Sequence, residues 1–309
     1  MQYKYRAIEC THLASGQPLI LPLHEIQGTA DGPTVGISAA VHGDEGIGVA
    51  VLRRLVADPV LAELKGRLLL LPLANPLAFQ GASRHTPLDM LNLNRVFPGD
   101  ADGWLTEQLA HVITKEFLGA IDVYVDLHAG GLFPIVDYVY LLNAPALSRA
   151  FGRPYLYQPA HPYVGTTTEV TVGAHIPSVV VELGGGLTPQ EPYALQTLDG
   201  LKNVLAELGM LPRHATQRPR QMLLHRIDIV RPHEGGLFVP RIDRVGVQVV
   251  KGDVLGQVVS PLDFAVLEDL TCPLEEGVMI LTHPTTHRME PGDYGFMVGD
   301  VQTAEVLDD

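Results

Sequence analysis

From about residue 34 to residue 210, short β-branched or leucine-rich runs alternate with longer amphipathic stretches, and this alternation constrains the chain more than any other feature. Apolar runs bounded by turn residues predict strands over 34–41, 67–73, 121–127, 136–142 and 179–183. Helical spacing of apolar positions predicts helices over 45–57, 104–118 and 192–208. Strands joined by helical crossovers make a parallel or mixed sheet, so the expected fold class is α/β. After a polar, basic stretch over 212–221, the pattern changes to short strands punctuated by Gly and Pro, as in GGLFVPRIDRVGVQVVKGDVLGQVVSP. Two domains are expected, residues 1–215 and a small all-β unit over 216–309.

Charge narrows the partners. Lys and Arg number 21 against 35 Asp and Glu, and a net charge of -14 without a basic patch repels nucleic acid and anionic membrane surfaces. The start MQYKYRAIECTHLASG lacks the basic-then-apolar order of a signal peptide, and no apolar run approaches the roughly 20 residues that span a bilayer. A cytoplasmic protein is the expectation. The two cysteines, Cys10 and Cys272, are far apart and lack the close spacing of a thiolate metal site. They are expected to be free thiols, so a metal here would need His and carboxylate ligands.

Two segments supply such ligands. In TVGISAAVHGDEGIGVAVLRRL an apolar strand runs into His42, Gly43, Asp44 and Glu45, then an amphipathic helix. Residues three apart at a helix start share a face, so the His42 imidazole and Glu45 carboxylate can converge on one ion, with Gly43 allowing a tight turn. Glu45 in a first helical turn would also be kept ionised by the macrodipole. An ordinary loop histidine beside a helix-terminal acid explains this fragment equally well. In IDVYVDLHAGG, strand alternation puts Ile121, Val123, Val125 and Leu127 on one face and Asp122, Tyr124, Asp126 and His128 on the other. His128 then emerges at the strand's carboxyl end, where open α/β sheets bind ligands and where His42 also lies. Asp126, two residues back, can orient a ligand imidazole or play a plain structural part.

Two His and one Glu leave zinc an open coordination position, which implies chemistry more than scaffolding. Zinc polarises a carbonyl and activates water, and proton transfer then needs a partner. Glu182, ending the apolar strand of IPSVVVELGGG before three glycines, is the candidate general base; alone, a strand-end Glu is more often structural.

HGDE, NPLAFQGASRHTPLDMLNLNRVFPGD, DLHAGG and VVVELGGG occur in an order that resembles the succinylglutamate desuccinylase and aspartoacylase family of the zinc carboxypeptidase superfamily. Within it, the long SRHTPLDMLNLNRVFPG form is most similar to members that deacetylate N-acetyl-diaminobutyrate. The resemblance implies one zinc ion held by His42, Glu45 and His128, with Glu182 as general base. It also implies that Arg84 stabilises an oxyanion and that Asn94 with Arg95 holds a substrate carboxylate. Without the motif, Arg84 and Arg95 would be surface salt-bridge residues. Extra residues separate Arg84 from Asn94 relative to the shorter aspartoacylase pattern, which leaves His85, Asp89 and Asn92 without assigned roles.

The C-terminal segment resembles the hammerhead of lipoyl and biotinyl carriers, but LEDLTCPLEEG stands where the carrier lysine would be. A packing or oligomerisation module rimming the active-site mouth is the better reading, with a homo-oligomer as one form it can take. His225, His233, His283 and His287 lack the spacing of a second metal site and are expected to be ordinary surface or loop histidines. Gly184 to Gly186 lack the Lys-Ser/Thr of a phosphate loop. The function expected is removal of a small acyl group from an N-acyl amino acid or related amine. The alternatives are a zinc carboxypeptidase acting on short peptides and, in another class, an inactive metal-binding scaffold.

Overall fold

The computed structural model describes residues 1–212 and 219–307, so the boundary expected between 215 and 216 lies outside the described residues. Strands β1 (Gln2–His12), β2 (Pro18–Gln27), β3 (Ala30–Ala39), β4 (Lys65–Leu71), β5 (Val123–His128), β6 (Ile135–Tyr140), β7 (Tyr155–Tyr157) and β8 (Ser178–Gly185) build the sheet of the first segment. Its order is β1-β2-β4-β3-β5-β8-β6, with β4, β3, β5 and β8 parallel and the flanking pairs antiparallel. The fold is thus α/β with a mixed sheet. The hairpin β1–β2 was not among the expected strands, although Leu19, Leu21 and Leu23 alternate in the sequence and are all buried.

Helices α1 (Ile47–Ala57), α2 (Pro76–Gln80), α3 (Leu105–Glu116), α4 (Pro145–Ala150), α5 (Thr167–Gly173) and α6 (Glu191–Glu207) complete the segment. The expected long helices are therefore present, but the helix expected from residue 45 begins two residues later, with Gly46 as its N-cap. Two apolar layers hold the sheet. On one face Val35, Ile37, Val125 and Leu127 pack against Val51, Leu52 and Leu55 of α1 and Leu198, Leu201 and Leu205 of α6. On the other, Leu69, Leu71 and Tyr124 pack against Leu109, Ala110 and Ile113 of α3. Each leucine buried this way contributes roughly 1.5–3 kcal/mol. Ile121 departs from the expected alternation: it precedes β5 and packs on the α3 face, opposite Val123 and Val125.

The β-rich C-terminal segment continues the same sheet. Strand Glu276–Thr282 pairs antiparallel with β6, Leu281 opposite Val136 and Thr282 opposite Ile135, and is followed outward by Phe296–Asp300 and Ile227–Val230. Among the described residues this sheet has 14 strands. A separate antiparallel sheet, ordered Val266–Thr271, Val254–Val259, Gly236–Pro240 and His287–Met289, closes over Phe238, Leu255, Val258 and Phe296. Thr271 ends a strand and Cys272 is buried, so the hairpin-tip sequence is largely strand and core. No helix among the described residues is long and apolar enough to cross a membrane.

Candidate metal centre

The parallel strands β3, β5 and β8 lie side by side and end together. Ala39 pairs with Leu127, and His128 pairs with Glu182. Beyond β3 the chain leaves the sheet through Ala40, whose φ of 51 lies in the left-handed region, and reaches His42 three residues after the strand. A Cβ on Gly43 would fall 1.9 Å from the Ala78 carbonyl carbon, so this glycine is needed for close packing against α2. After Glu182, Gly184, Gly185 and Gly186 all take positive φ, and a Cβ at Gly185 would lie 2.6 Å from the Pro134 carbonyl oxygen. These glycines turn the strand away tightly, beside the loop that follows His128.

His42, Glu45 and His128 are 3%, 3% and 5% exposed, and their ligand atoms all lie within 4.8 Å of one another. Glu45 is the hub. Its Oε1 is 2.8 Å from His42 Nδ1, and its Oε2 is 2.9 Å from His128 Nδ1 and accepts the Ala129 N–H at 3.1 Å. Arg84 Nη1 donates to Oε1 at 3.3 Å. Burial opposes a charge on Glu45, but the two imidazoles more than offset it and hold its carboxyl well below the usual range. Those contacts replace the helix dipole expected from the sequence, since Glu45 precedes the helix.

Behind the hub, His128 Nε2 faces Asp126 Oδ2 at 3.1 Å. Thr167 Oγ1 donates to the same oxygen at 2.8 Å, and Ser38 Oγ donates to Oδ1 at 2.6 Å. Asp126 therefore orients the His128 ring, the arrangement that accompanies metal-ligating histidines. Burial lowers the His128 charge preference, yet Asp126 and Glu45 together raise its pKa well above the ordinary value. Burial keeps His42 neutral, and its Nε2 is buried without a partner among the described residues.

These groups fit a divalent cation. Two buried imidazoles and a carboxylate bring ligand atoms within 4.8 Å of one another, a range that includes the roughly 3.3 Å between ligand atoms of a tetrahedral zinc with bonds of about 2.0–2.1 Å. Three such groups withdrawn from water, one with an orphaned nitrogen, are costly unless they share a ligand.

A cavity of about 500 Å³ opens over the centre and is lined by His42, Glu45, His128, Glu182, Arg84, Asn94 and Arg95. All seven residues singled out in the sequence meet there. Burial pushes Glu182 up to about 8, and the Glu45 carboxylate adds to the rise while His128 opposes it. Arg84 is 46% exposed on its side chain and keeps donors free for the cavity. Asn94 Oδ1 accepts from the Thr167 backbone N–H at 3.1 Å, and the Arg95 guanidinium lies 5.9 Å over the Tyr163 ring. His85, Asp89 and Asn92 lie outside the lining. Asp89 instead accepts from the Thr106 N–H at 2.8 Å and Oγ1 at 2.7 Å, and Asn92 caps the Asn94 N–H at 2.9 Å. Asp89 and Asn92 thus shape the loop that carries Asn94 and Arg95.

Other lining residues went unrecognised in the sequence. Tyr138 and Tyr140, hydroxyls 3.2 Å apart, sit on β6, where Tyr138 pairs with Glu182. Their spacing of two in DYVY was the available signal. His283 and His287 are not surface residues: both are buried and line the cavity. His225 and His233, in contrast, are exposed, and His225 lies 3.1 Å from Glu305.

The succinylglutamate desuccinylase/aspartoacylase catalytic domain model matches residues 31–208, more than half of the chain. The N-alpha-acetyl-L-2,4-diaminobutyric acid deacetylase of Halomonas elongata is 32% identical over 194 residues, 59% of this chain and 56% of that protein. The match thus spans little more than half the length of that relative. A product-bound structure of the ectoine utilization protein EutE (DoeB) from Ruegeria pomeroyi superposes with a TM-score of 0.84 at 28% identity, covering 97% of this chain and 95% of that one. A succinylglutamate desuccinylase structure from Silicibacter sp. TM1040 gives 0.83 at 27% identity, covering 97% and 94%. The chain belongs to the succinylglutamate desuccinylase/aspartoacylase family.

Proposed function

We propose that the chain is a zinc-dependent amidohydrolase that removes a small acyl group from the nitrogen of an N-acyl amino acid or related amine. The observation that carries this reading is the meeting of His42, Glu45 and His128 with Glu182 at the ends of three adjacent parallel strands, on the floor of one cavity. The deacetylase among the relatives supports an acetyl group as the acyl group removed.

His42, Glu45 and His128 would hold the ion, which when bound supplies a Lewis acid for the scissile carbonyl and lowers the pKa of water toward about 7. Glu182 removes the proton from the attacking water and hands it to the departing nitrogen. Its raised pKa suits the second of these tasks, and the His128 and Arg84 charges beside it favour the ionised form needed for the first. Arg84 aims a guanidinium at the carbonyl oxygen as negative charge grows there, an interaction stronger in the transition state than in the ground state. Asn94 and Arg95 hold the substrate carboxylate, while the β-rich segment walls the cavity and restricts it to small molecules.

Free-amine release from N-acetyl, N-formyl and N-succinyl amino acids, beside short peptides and with or without a chelator, tests this. Chelator-sensitive release from an acyl amino acid is expected. Cleavage of C-terminal residues from peptides alone would make the chain a carboxypeptidase. Inactivity on the whole panel with zinc bound would leave a scaffold.

A further inference from the structure

The proposed hydrolytic groups occupy one end of the cavity. From Glu182 a row of paired residues leads away from them, across the joint sheet. Tyr138 of β6 pairs with Glu182, and Val136 pairs with Gly184. Val136 pairs in turn with Leu281, Leu281 with Met297, and Met297 with Ile229. Directly opposite residues point to the same face of a sheet, and Val136, Leu281, Met297 and Ile229 all line the cavity that holds Glu182. Four apolar side chains therefore form a continuous strip. At about 4.8 Å per strand, β8 and the strand of Met297 are roughly 14 Å apart, and Ile229 lies one strand farther out. The first three are buried and Ile229 is 40% exposed, so the strip opens to solvent at its outer end.

The rings beside the strip are uncharged. Just beyond the pairing of Thr282 with Ile135, His283 and His287 stack with centroids 4.7 Å apart, and His287 stacks on Phe133 at 4.3 Å and 10°. Burial pushes His283 down to about 4 and lowers His287 as well, which leaves both neutral at physiological pH. Arg288, Glu290 and Asp293 also line the cavity, but they are exposed, where water and salt screen their charge. The proposed carboxylate anchors lie elsewhere. Asn94 is bonded to Thr167, which bonds Asp126 of β5, on the side of β8 away from β6. Arg95 lies over Tyr163, whose ring meets Tyr140 at the end of β6 away from Val136. A substrate whose carboxylate is held there, with its amide carbonyl at Glu182, points its acyl group along the strip.

We propose that the strip binds an apolar acyl chain, so that N-acyl amino acids with unbranched acyl groups several carbons longer than acetyl are hydrolysed faster than their acetyl counterparts. The inference rests on the deacylase reading for the reaction and extends it in the acyl group. Water supplies the hydroxyl of the released fatty acid and a proton to the departing amine as the amide C–N bond breaks. An acetyl group leaves the strip uncovered. At no more than about 1.5 Å per bond, a decanoyl chain covers Val136 and Leu281 and ends against Met297.

Measuring kcat/KM of the zinc-loaded full chain on N-acetyl, N-butyryl, N-hexanoyl and N-decanoyl forms of one amino acid tests this. Full burial of a methylene is a gain of roughly fourfold, and with the outer end wet a rise of at least about 100-fold from acetyl to decanoyl is expected. Met297→Gln keeps the length of the side chain and makes its end polar, which should cut the decanoyl-to-acetyl ratio at least about tenfold. Calorimetric titration with decanoate and acetate reads the strip without turnover, and decanoate should bind at least about tenfold tighter. A kcat/KM that is flat or falls with chain length would overturn the strip, as would an unchanged ratio in Met297→Gln. Decanoate-selective binding without hydrolysis of any acyl amino acid would sink the deacylase reading and keep the strip; hydrolysis of the acetyl compound with equal binding of acetate and decanoate would do the reverse.

Discussion

Replacing Asp126 by Asn separates the orientation of His128 from the ligand set itself. Asp126 is 1% exposed and receives hydrogen bonds from Ser38 on one oxygen and from Thr167 on the other, which also faces His128 Nε2. Asparagine fits the same space, but its NH2 must face one of those sides. Toward Thr167 and His128 it would meet two donors. Toward Ser38 it meets a hydroxyl already 2.7 Å from the Tyr124 hydroxyl, and both of those groups can reverse their protons. The amide therefore settles with its oxygen on His128, hydrogen bonds are conserved, and only the negative charge is lost. Carboxylates in this position alter metal affinity by about 10–100-fold when changed, which is about 1.4–2.7 kcal/mol. Competition for zinc against a chromophoric chelator at fixed pH should show a Kd raised by that factor. A Kd within threefold of the unaltered protein would refute the orienting role and leave Asp126 as a structural acid.

Glu182→Gln keeps shape but cannot shuttle a proton, so kcat should fall by about 10²–10⁴ while zinc affinity measured by the same competition stays within threefold. Gly43→Ala places a methyl group against the Ala78 backbone, and the displaced ligand loop should cost several kcal/mol or abolish zinc binding; a normal melting midpoint with full metal occupancy would contradict the close packing described. In the metal-free protein His128 is protonated at neutral pH, since Asp126 and Glu45 outweigh its burial. Its contribution to stability is complete below the unfolded value of about 6.5 and is lost as pH rises through the raised folded value. Metal must displace that proton, so zinc affinity should rise about tenfold per pH unit above neutrality until the folded value is passed, and calorimetry in two buffers of different ionisation enthalpy should register at least one proton released at pH 7.

The proposed ligands His42 and His128 and the proposed base Glu182 were legible because their positions follow from local rules. His42 closes an apolar strand, His128 falls at the end of an alternating one, and Glu182 ends a run of valines before glycines; chain direction alone then gathers all three at the carboxyl edge of parallel strands. Local rules also explain the failures. Glu45 sits three residues after His42 as expected, yet outside the helix, so its ionisation depends on His42, His128 and Arg84, partners that local spacing supplies only in part. Ile121 follows the alternation on paper, but the strand starts at Val123 and the residue before it answers to a different face. His283 and His287 show the limit most clearly. Nothing near them in sequence signals a cavity. Their place depends on Leu281 and Thr282 pairing with Val136 and Ile135, a register separated by about 145 residues and stabilised by burial on both sides of the joint sheet. Shifting that register by one residue would turn the alternate side chains of Glu276–Thr282 to the opposite face and carry the stacked imidazoles away from Phe133, while leaving His42, Glu45 and His128 where they are. In this fold the proposed metal centre is thus specified within the α/β segment, and the wall that faces it is specified by how the later strands dock.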